Sequence, residues 1–261
     1  KGEGSMNLQK KMFFSALFFV VASCGLIVGL TSMPAEAADP LLEFKKQVSK
    51  ELLEPFAKDM GSLIGGGSFH TGRSLGFPGV DAGAHFAIQK KPSKTNMILN
   101  NANVDAIALP MVQGEVGLPF NVDVILRGIS YQDVTLVGGG LRYGLFKLRM
   151  IPLAPGIAVS AFVHSLNHSA FSLAHQSANI SVDMSVPIVS PYIGFGIDRT
   201  RIKVNAVEAG KEALLGLDAV ATGTRIAVGV NLKPLPLVYL HGAATRYNGN
   251  AGFEGGLGVK F

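Results

Sequence analysis

The sequence predicts an all-β fold: a closed antiparallel transmembrane β-barrel of about ten strands, within a range of eight to twelve, preceded by a short N-terminal helix. Three observations carry that expectation. From Phe77 onward, apolar residues recur with a period of two over successive runs long enough for tilted strands to cross a bilayer. Residues after Asp39 repeat instead at helical spacing. The final run places Phe253, Gly255, Leu257, Val259 and Phe261 on one face and ends on that phenylalanine.

The first 37 residues read as an address. Met6 is followed by Lys10 and Lys11, an apolar run from Met12 to Leu30, and Pro34-Ala35-Glu36-Ala37-Ala38. A basic segment, an apolar core and small residues at Ala35 and Ala37 describe a secretory signal peptide cleaved after Ala37. Two alternatives stay open. The apolar run is long enough for an uncleaved membrane anchor, and Val21-Ala22-Ser23-Cys24 is similar to a lipoprotein box. Against the latter, Gly25 to Leu30 stays apolar and the Ala-x-Ala site would have no purpose. Lys1 to Ser5 precede Met6 and read as a translated leader or a cloning scar, with no role in the fold. The expected organisation is therefore residues 1–37 as leader, 38–67 as an amphipathic helix and candidate plug, and 68–261 as barrel.

Composition narrows the function classes. The lone cysteine, Cys24, lies in the leader, so the processed chain has neither a disulfide framework nor a thiol nucleophile. Removing 37 residues leaves 20 basic and 16 acidic side chains, a net charge of +4. That charge is small and scattered, which argues against nucleic acid as a partner. Charged residues make up 16% of the chain, against about a quarter in a typical soluble domain. Membrane lipid is the expected surroundings.

Asp39-Pro40 is a helix start, with Asp as cap and Pro in the first turn. Leu41, Phe44, Val48 and Leu52 form one face, Pro55 kinks or restarts the helix, and Phe56, Met60, Leu63 and Ile64 continue the stripe. Gly65-Gly66-Gly67 ends it. Such a helix either plugs the lumen, lies on the membrane or covers one end of a sheet.

The strand runs fall at about 77–89, 107–117, 119–131, 133–148, 156–165, 171–184, 189–204, 222–232, 236–247 and 251–261. Residues 205–221 are expected to be a long extracellular loop. Closing the sheet removes the two edges that an open one would expose. The wall is expected to be apolar outside and polar inside, because a lipid-facing Arg or Lys near mid-membrane costs about 2–4 kcal/mol. Val124, Leu126, Ile226, Val228, Leu257 and Val259 then face lipid, while Asp123, Arg127, Arg142, Arg225, Glu254 and Lys260 face the lumen.

No residues are assigned to catalysis, metal or a cofactor. His164-Ser165-Leu166-Asn167-His168 holds the residue types of a hydrolytic triad, yet neighbours in one strand point to opposite faces. His164 and His168 could share a face as metal ligands, but no third ligand lies nearby in sequence. Gly255-Gly256-Leu257-Gly258 lacks the lysine and helix of a phosphate loop, and no Gly-x-Ser-x-Gly elbow occurs.

Leu118-Pro119-Phe120-Asn121-Val122-Asp123-Val124, Pro191-Tyr192-Ile193-Gly194-Phe195-Gly196 and the closing Gly252 to Phe261 stretch carry a resemblance. From about Leu41 to Phe261 the chain resembles a family of bacterial outer-membrane proteins of uncharacterised activity, with a signal peptide, a short helix and a small barrel. The resemblance implies an outer-membrane location, and recognition of Phe253, Leu257, Val259 and Phe261 by the barrel assembly machinery. A looser similarity is to outer-membrane transporters of apolar compounds, although the Asn-Pro-Ala plug motif of those proteins is missing. The expected role is a non-enzymatic barrel: a narrow channel or transporter for a small apolar solute, or a structural element. The alternatives are a secreted soluble or lipid-anchored barrel binding a hydrophobic ligand, and an outer-membrane lipid hydrolase.

Overall fold

The computed structural model describes residues 41, 43–131, 133–147, 154–184, 186 and 188–261. The expected signal peptide, its cleavage site at Ala35 and Ala37, and the Asp39-Pro40 cap lie outside these. Ten strands form a closed barrel: β1 Val80–Gln89, β2 Ile107–Leu118, β3 Val122–Tyr131, β4 Val134–Lys147, β5 Pro155–Asn167, β6 Phe171–Met184, β7 Val189–Val204, β8 Asp218–Leu232, β9 Val238–Tyr247 and β10 Asn250–Lys260. Each strand pairs antiparallel with its sequence neighbours, and β1 closes on β10 from Asp81↔Lys260 to Gln89↔Gly252. Phe261 completes the seam, exchanging backbone hydrogen bonds with Val80. The strand number and the closure agree with the sequence reading.

Two boundaries differ from it. β8 begins at Asp218, inside the segment expected to be loop, because Asp218, Val220, Thr222 and Thr224 alternate with small inward residues and pair with β7. The barrel begins at Val80 rather than at residue 68, because the chain before it lies inside the lumen.

The helical segment is divided. Helix α1 (Glu43–Gln47) is followed by a single tight turn at Lys50–Leu52 and then α2 (Leu53–Gly65). Pro55 falls in the first turn of α2, where its missing N–H has no intrahelical acceptor to lose. A third short helix, α3 (Met97–Asn101), lies in the β1–β2 connection, with Asn96 capping its start.

The wall changes character along its length. In β7 exposure alternates strictly, and the outward residues are Val189, Pro191, Ile193, Phe195 and Ile197, then Arg199, Arg201 and Lys203. β6 does the same, with Met184, Val182, Ile180 and Ala178 giving way to Gln176 and Ser172. From Val189 to Ile197 the apolar band runs about 26 Å along the strand, the scale of a bilayer core crossed by a tilted strand. Among the described residues no helix is long and apolar enough to cross a membrane. The strands supply the crossing.

The interior inverts in step. Beside the apolar band the inward residues of β6 are Asp183, Ser181, Asn179, Ser177 and His175; above it they are Leu173 and Phe171. Above the band, Leu109, Met111, Leu136, Leu166, Leu173, Ile202 and Val204 surround Phe44, Phe56, Met60, Leu63 and Ile64 in one core. Phe44, Phe56 and Phe171 pack with ring centroids 4.8–5.0 Å apart. The expectation of a wall apolar outside and polar inside is therefore corrected for this upper part, where water lies outside and the helices supply an apolar filling.

The contrast predicts where charge is tolerated. Leu126→Arg, on the outward apolar face, should cost about 2–4 kcal/mol, and Ser165→Arg, above the band, about 0–1 kcal/mol. Refolding equilibria in lipid vesicles measure both; equal costs would mean that the band is misplaced.

Candidate functional site

The lumen is filled by the chain that precedes β1. Helices α1 and α2 sit in the upper mouth, residues 66–76 descend through the barrel in non-helical conformation, and the chain leaves by the lower mouth to begin β1. Glu208 N donates to the Lys45 carbonyl at the top, and Gly117 N donates to the Gly79 carbonyl at the bottom.

Two buried arginines receive the end of α2. Arg225 donates through Nη1 to the Gly65 carbonyl and to Ser68 Oγ (3.2 Å), through Nη2 to Asn179 Oδ1 (2.7 Å), and through Nε to Asp198 Oδ2 (2.7 Å). Arg127 donates to the carbonyls of Gly66 (3.0 Å) and Gly67 (2.9 Å) and to Gln113 Oε1 (2.7 Å). Each guanidinium also lies over a ring, Phe69 for Arg225 and Phe162 for Arg127. A helix C-terminus carries unpaired carbonyls and partial negative charge, so two cations there satisfy both demands. The glycines are required by the closeness: a Cβ on Gly65 would lie 2.6 Å from Arg225 Cζ, and Gly67 has φ of +68°. This segment is pinned rather than free to hinge.

Below the clamp, polar wall residues hold the descending segment almost residue by residue. Asp183 accepts from Thr71 Oγ1, Gly72 N and Arg73 Nε (3.2, 3.1 and 2.8 Å). Asp123 accepts from Ser74 Oγ (2.7 Å) and Leu75 N (2.9 Å). Arg142 donates to Glu115 Oε2 (2.6 Å) and lies 3.9 Å from Asp123. Tyr247 donates to Glu254 Oε1 (2.9 Å).

Of the residues expected in the lumen, Asp123, Arg127, Arg142, Arg225 and Glu254 are buried inside it, and Lys260 is half-buried at the lower mouth. Leu126, Ile226 and Val228 are exposed on the outer face, and Val124 is partly covered. In the terminal strand Phe253 and Phe261 are exposed, Leu257 is half-buried and Val259 is only 6% exposed; Val259 thus has outward parity without offering surface to lipid. Ile125, which interrupts the alternation in sequence, is an inward residue between Asp123 and Arg127. His164 is buried on the inner face while Ser165 is exposed on the outer one, so the pair cannot act as nucleophile and base.

Two features were not read from the sequence. Asp59 on α2 is fully buried and accepts from Gln89 Nε2, Ser93 N, Ser93 Oγ and Asn96 Nδ2, tying the plug to the β1–β2 connection. A charged residue on the apolar stripe of a helix was its only signal. The second feature is a cavity of about 420 Å³ at the lower mouth, lined by His70, Arg73, Asp81, Glu115, Arg142, Tyr239 and Lys260 among others. His70, which lines it, is buried together with His85 and His241, one ligand atom of each lying within 4.8 Å of the others. Outside the spanning part, Glu212 in the β7–β8 connection is held below the usual carboxylate range, chiefly by the Gly210 amide that donates to it.

No family model matches the chain, and no curated protein does. Solved bacterial barrels are similar to it. The N-terminal barrel domain of Pseudomonas aeruginosa OprF matches 70% of this chain and 97% of its own at 12% identity, with a TM-score of 0.35. Ail, the attachment invasion locus protein of Yersinia pestis, matches 70% and 98% at 12% identity, with a TM-score of 0.32. LpxR from Salmonella typhimurium matches 68% and 99% at 8% identity, with a TM-score of 0.33. The likeness is one of architecture. Independently of it, an even number of antiparallel strands in one chain, closed and wrapped by an apolar band, is the build of a bacterial outer-membrane barrel.

The clamp makes a stability prediction. Arg225→Met leaves Asp198 buried without its cation and should destabilise the plugged state by about 3–5 kcal/mol. Adding Asp198→Asn should recover part of that loss in denaturant unfolding. A single variant as stable as wild type would remove the clamp from the account.

Proposed function

We propose that the protein is a non-enzymatic outer-membrane barrel that serves as a gated, narrow pathway for a small polar solute, with residues 43–76 as the gate. The observation that carries this is the filling of the lumen: the chain's own segment occupies the path and is held in its lower half by hydrogen bonds that water or a polar solute can replace. The apolar solute suggested by the sequence fits this wall poorly, because the lower cavity carries Arg73, Asp81, Glu115, Arg142, Asp183 and Lys260. A soluble carrier of hydrophobic ligands would not display an outward band such as Val137, Val163 and Leu126, each more than 60% exposed.

Orientation follows from the connections. The two longest described ones, 90–106 and 205–217, lie at the mouth that holds α1, where the short turns 168–170 and 248–249 also lie; beside Val80 and Lys260 lie only short described ones such as 119–121 and 233–237. Short turns face the periplasm in such barrels. Residue 41 then stands at the extracellular mouth and the cavity opens to the periplasm. On assembly, the exposed Phe253 and Phe261 of the closing strand would be what the assembly machinery reads.

Conductance in planar bilayers tests the gate. Intact protein should give no large, steady current, since even an unplugged barrel near eight strands is largely filled by side chains. Deleting residues 41–64 should raise the current, and the Arg127→Ala, Arg225→Ala double variant should give intermittent openings. A deletion that folds yet conducts no better than the intact protein would refute the gate; porin-sized current from the intact protein would refute the narrow path.

A further inference from the structure

We propose that His70, His85 and His241 form a binding site for one borderline divalent transition ion, with Zn²⁺ the best match, inside the barrel. The three residues are far apart in sequence and come from three elements: the descending segment, β1 and β9. One ligand atom from each lies within 4.8 Å of the others. His85 Nδ1 and His241 Nε2 face each other at 2.9 Å, and the His70 ring centroid is 5.3 and 5.1 Å from theirs. Tetrahedral Zn²⁺ with bonds of about 2.0–2.1 Å sets its nitrogens roughly 3.4 Å apart. The pair must therefore open by about half an ångström and His70 close by at most about 1.4 Å. His70 belongs to the plug segment rather than to a wall strand.

Two further observations point to a ligand. His70 Nδ1 is buried with no hydrogen-bond partner among the described residues, and His70 is only 5% exposed. Buried polar nitrogens are seldom left unpaired. Gly256 also clears the space beside the facing pair: a Cβ there would stand 2.5 Å from His241 Nε2 and 2.7 Å from His85 Nδ1. On the far side of the His241 ring, Nδ1 lies 3.3 Å from Tyr192 Oη, the contact that fixes the tautomer of a ligating imidazole. Three imidazoles select Zn²⁺, Cu²⁺ or Ni²⁺ over Mg²⁺ and Ca²⁺, which prefer oxygen. His70 lines the 420 Å³ cavity, so an ion can reach the site from the lower mouth and take a fourth ligand from it. Asp81 and Glu115 on the same cavity offset the charge of Arg142. An ion held here would join the plug segment to two wall strands.

The test uses the full chain in detergent, carrying no histidine tag, stripped with a chelator and titrated with Zn²⁺, Co²⁺ and Mg²⁺. One Zn²⁺ per chain is expected, with the visible spectrum of tetrahedral Co²⁺ and no uptake of Mg²⁺. His241→Ala and His70→Gln should abolish binding, Tyr192→Phe should weaken it about 10–100-fold, and His164→Ala should leave it unchanged. Heat-modifiable gel migration reports whether each variant is folded. Gly256→Ala keeps all three histidines but sets a Cβ against His241 Nε2, His85 Nδ1 and the Ala84 carbonyl; where the gel shows it folded, it should weaken binding, and it carries the test if the histidine variants misfold. No uptake by the wild type, or wild-type affinity in the folded His70→Gln, His241→Ala or Gly256→Ala variant, would overturn the site.

Discussion

A helix that ends inside a barrel leaves its last carbonyls facing an interior without bulk water, and everything else in this lumen follows from how those carbonyls are satisfied. Arg225 and Arg127 reach from opposite parts of the wall to the carbonyls of Gly65, Gly66 and Gly67. Their charges need compensation in turn, which Asp198 gives to Arg225 directly. The glycines permit the approach, since any side chain at Gly65 or Gly66 would collide with Arg225 or Ala87. Clamp, counter-ion and glycine run form one unit, and removing one member exposes the desolvation cost of the others.

That unit sits at the level where the barrel changes solvent. Below it the wall faces lipid and encloses hydrogen bonds; above it the wall faces water and encloses a packed apolar core. The same alternation of a strand serves both halves, with the two faces exchanging roles near His175, Arg225 and Ile197. The upper half is stabilised as a soluble protein is, by burying Phe44, Phe56, Met60, Leu63 and Ile64 against Leu and Ile of the strands. The lower half gains little from apolar burial inside. It is held by lipid outside and by wall-to-segment hydrogen bonds within, and that is the half in which an opening costs least.

Much of the fold was legible because a period of two is a local property. Each of the ten runs, the helical stripe and the inward places of Arg127, Arg142 and Arg225 could be read from neighbours in sequence. Ile125 and Asp218 were harder: the first is an apolar inward residue among polar ones, and the second lies above the band, where outward residues need not be apolar. The site was legible only in fragments. Register between strands is not written in any one of them, so the approach of His85 to His241 depended on β10 lying between β1 and β9. His70 gave no periodic signal, because residues 66–76 belong to neither a helix nor a strand. The sequence-adjacent His164 and His168 drew attention in its place.

The central claim is that residues 43–76 occupy the lumen of the assembled barrel, and a cross-link in native membranes tests it most directly. Asn248, in the turn between β9 and β10, donates to Ser62 Oγ on α2 at 2.6 Å. The Ser62→Cys, Asn248→Cys double variant should form an intramolecular disulfide in nearly every molecule under mild oxidation, without loss of the folded gel form. Pairing Ser62→Cys with Ala161→Cys, on the outer face, should give none. Absence of the first cross-link in folded protein, or equal yields from both pairs, would place the helix outside the barrel and contradict the account.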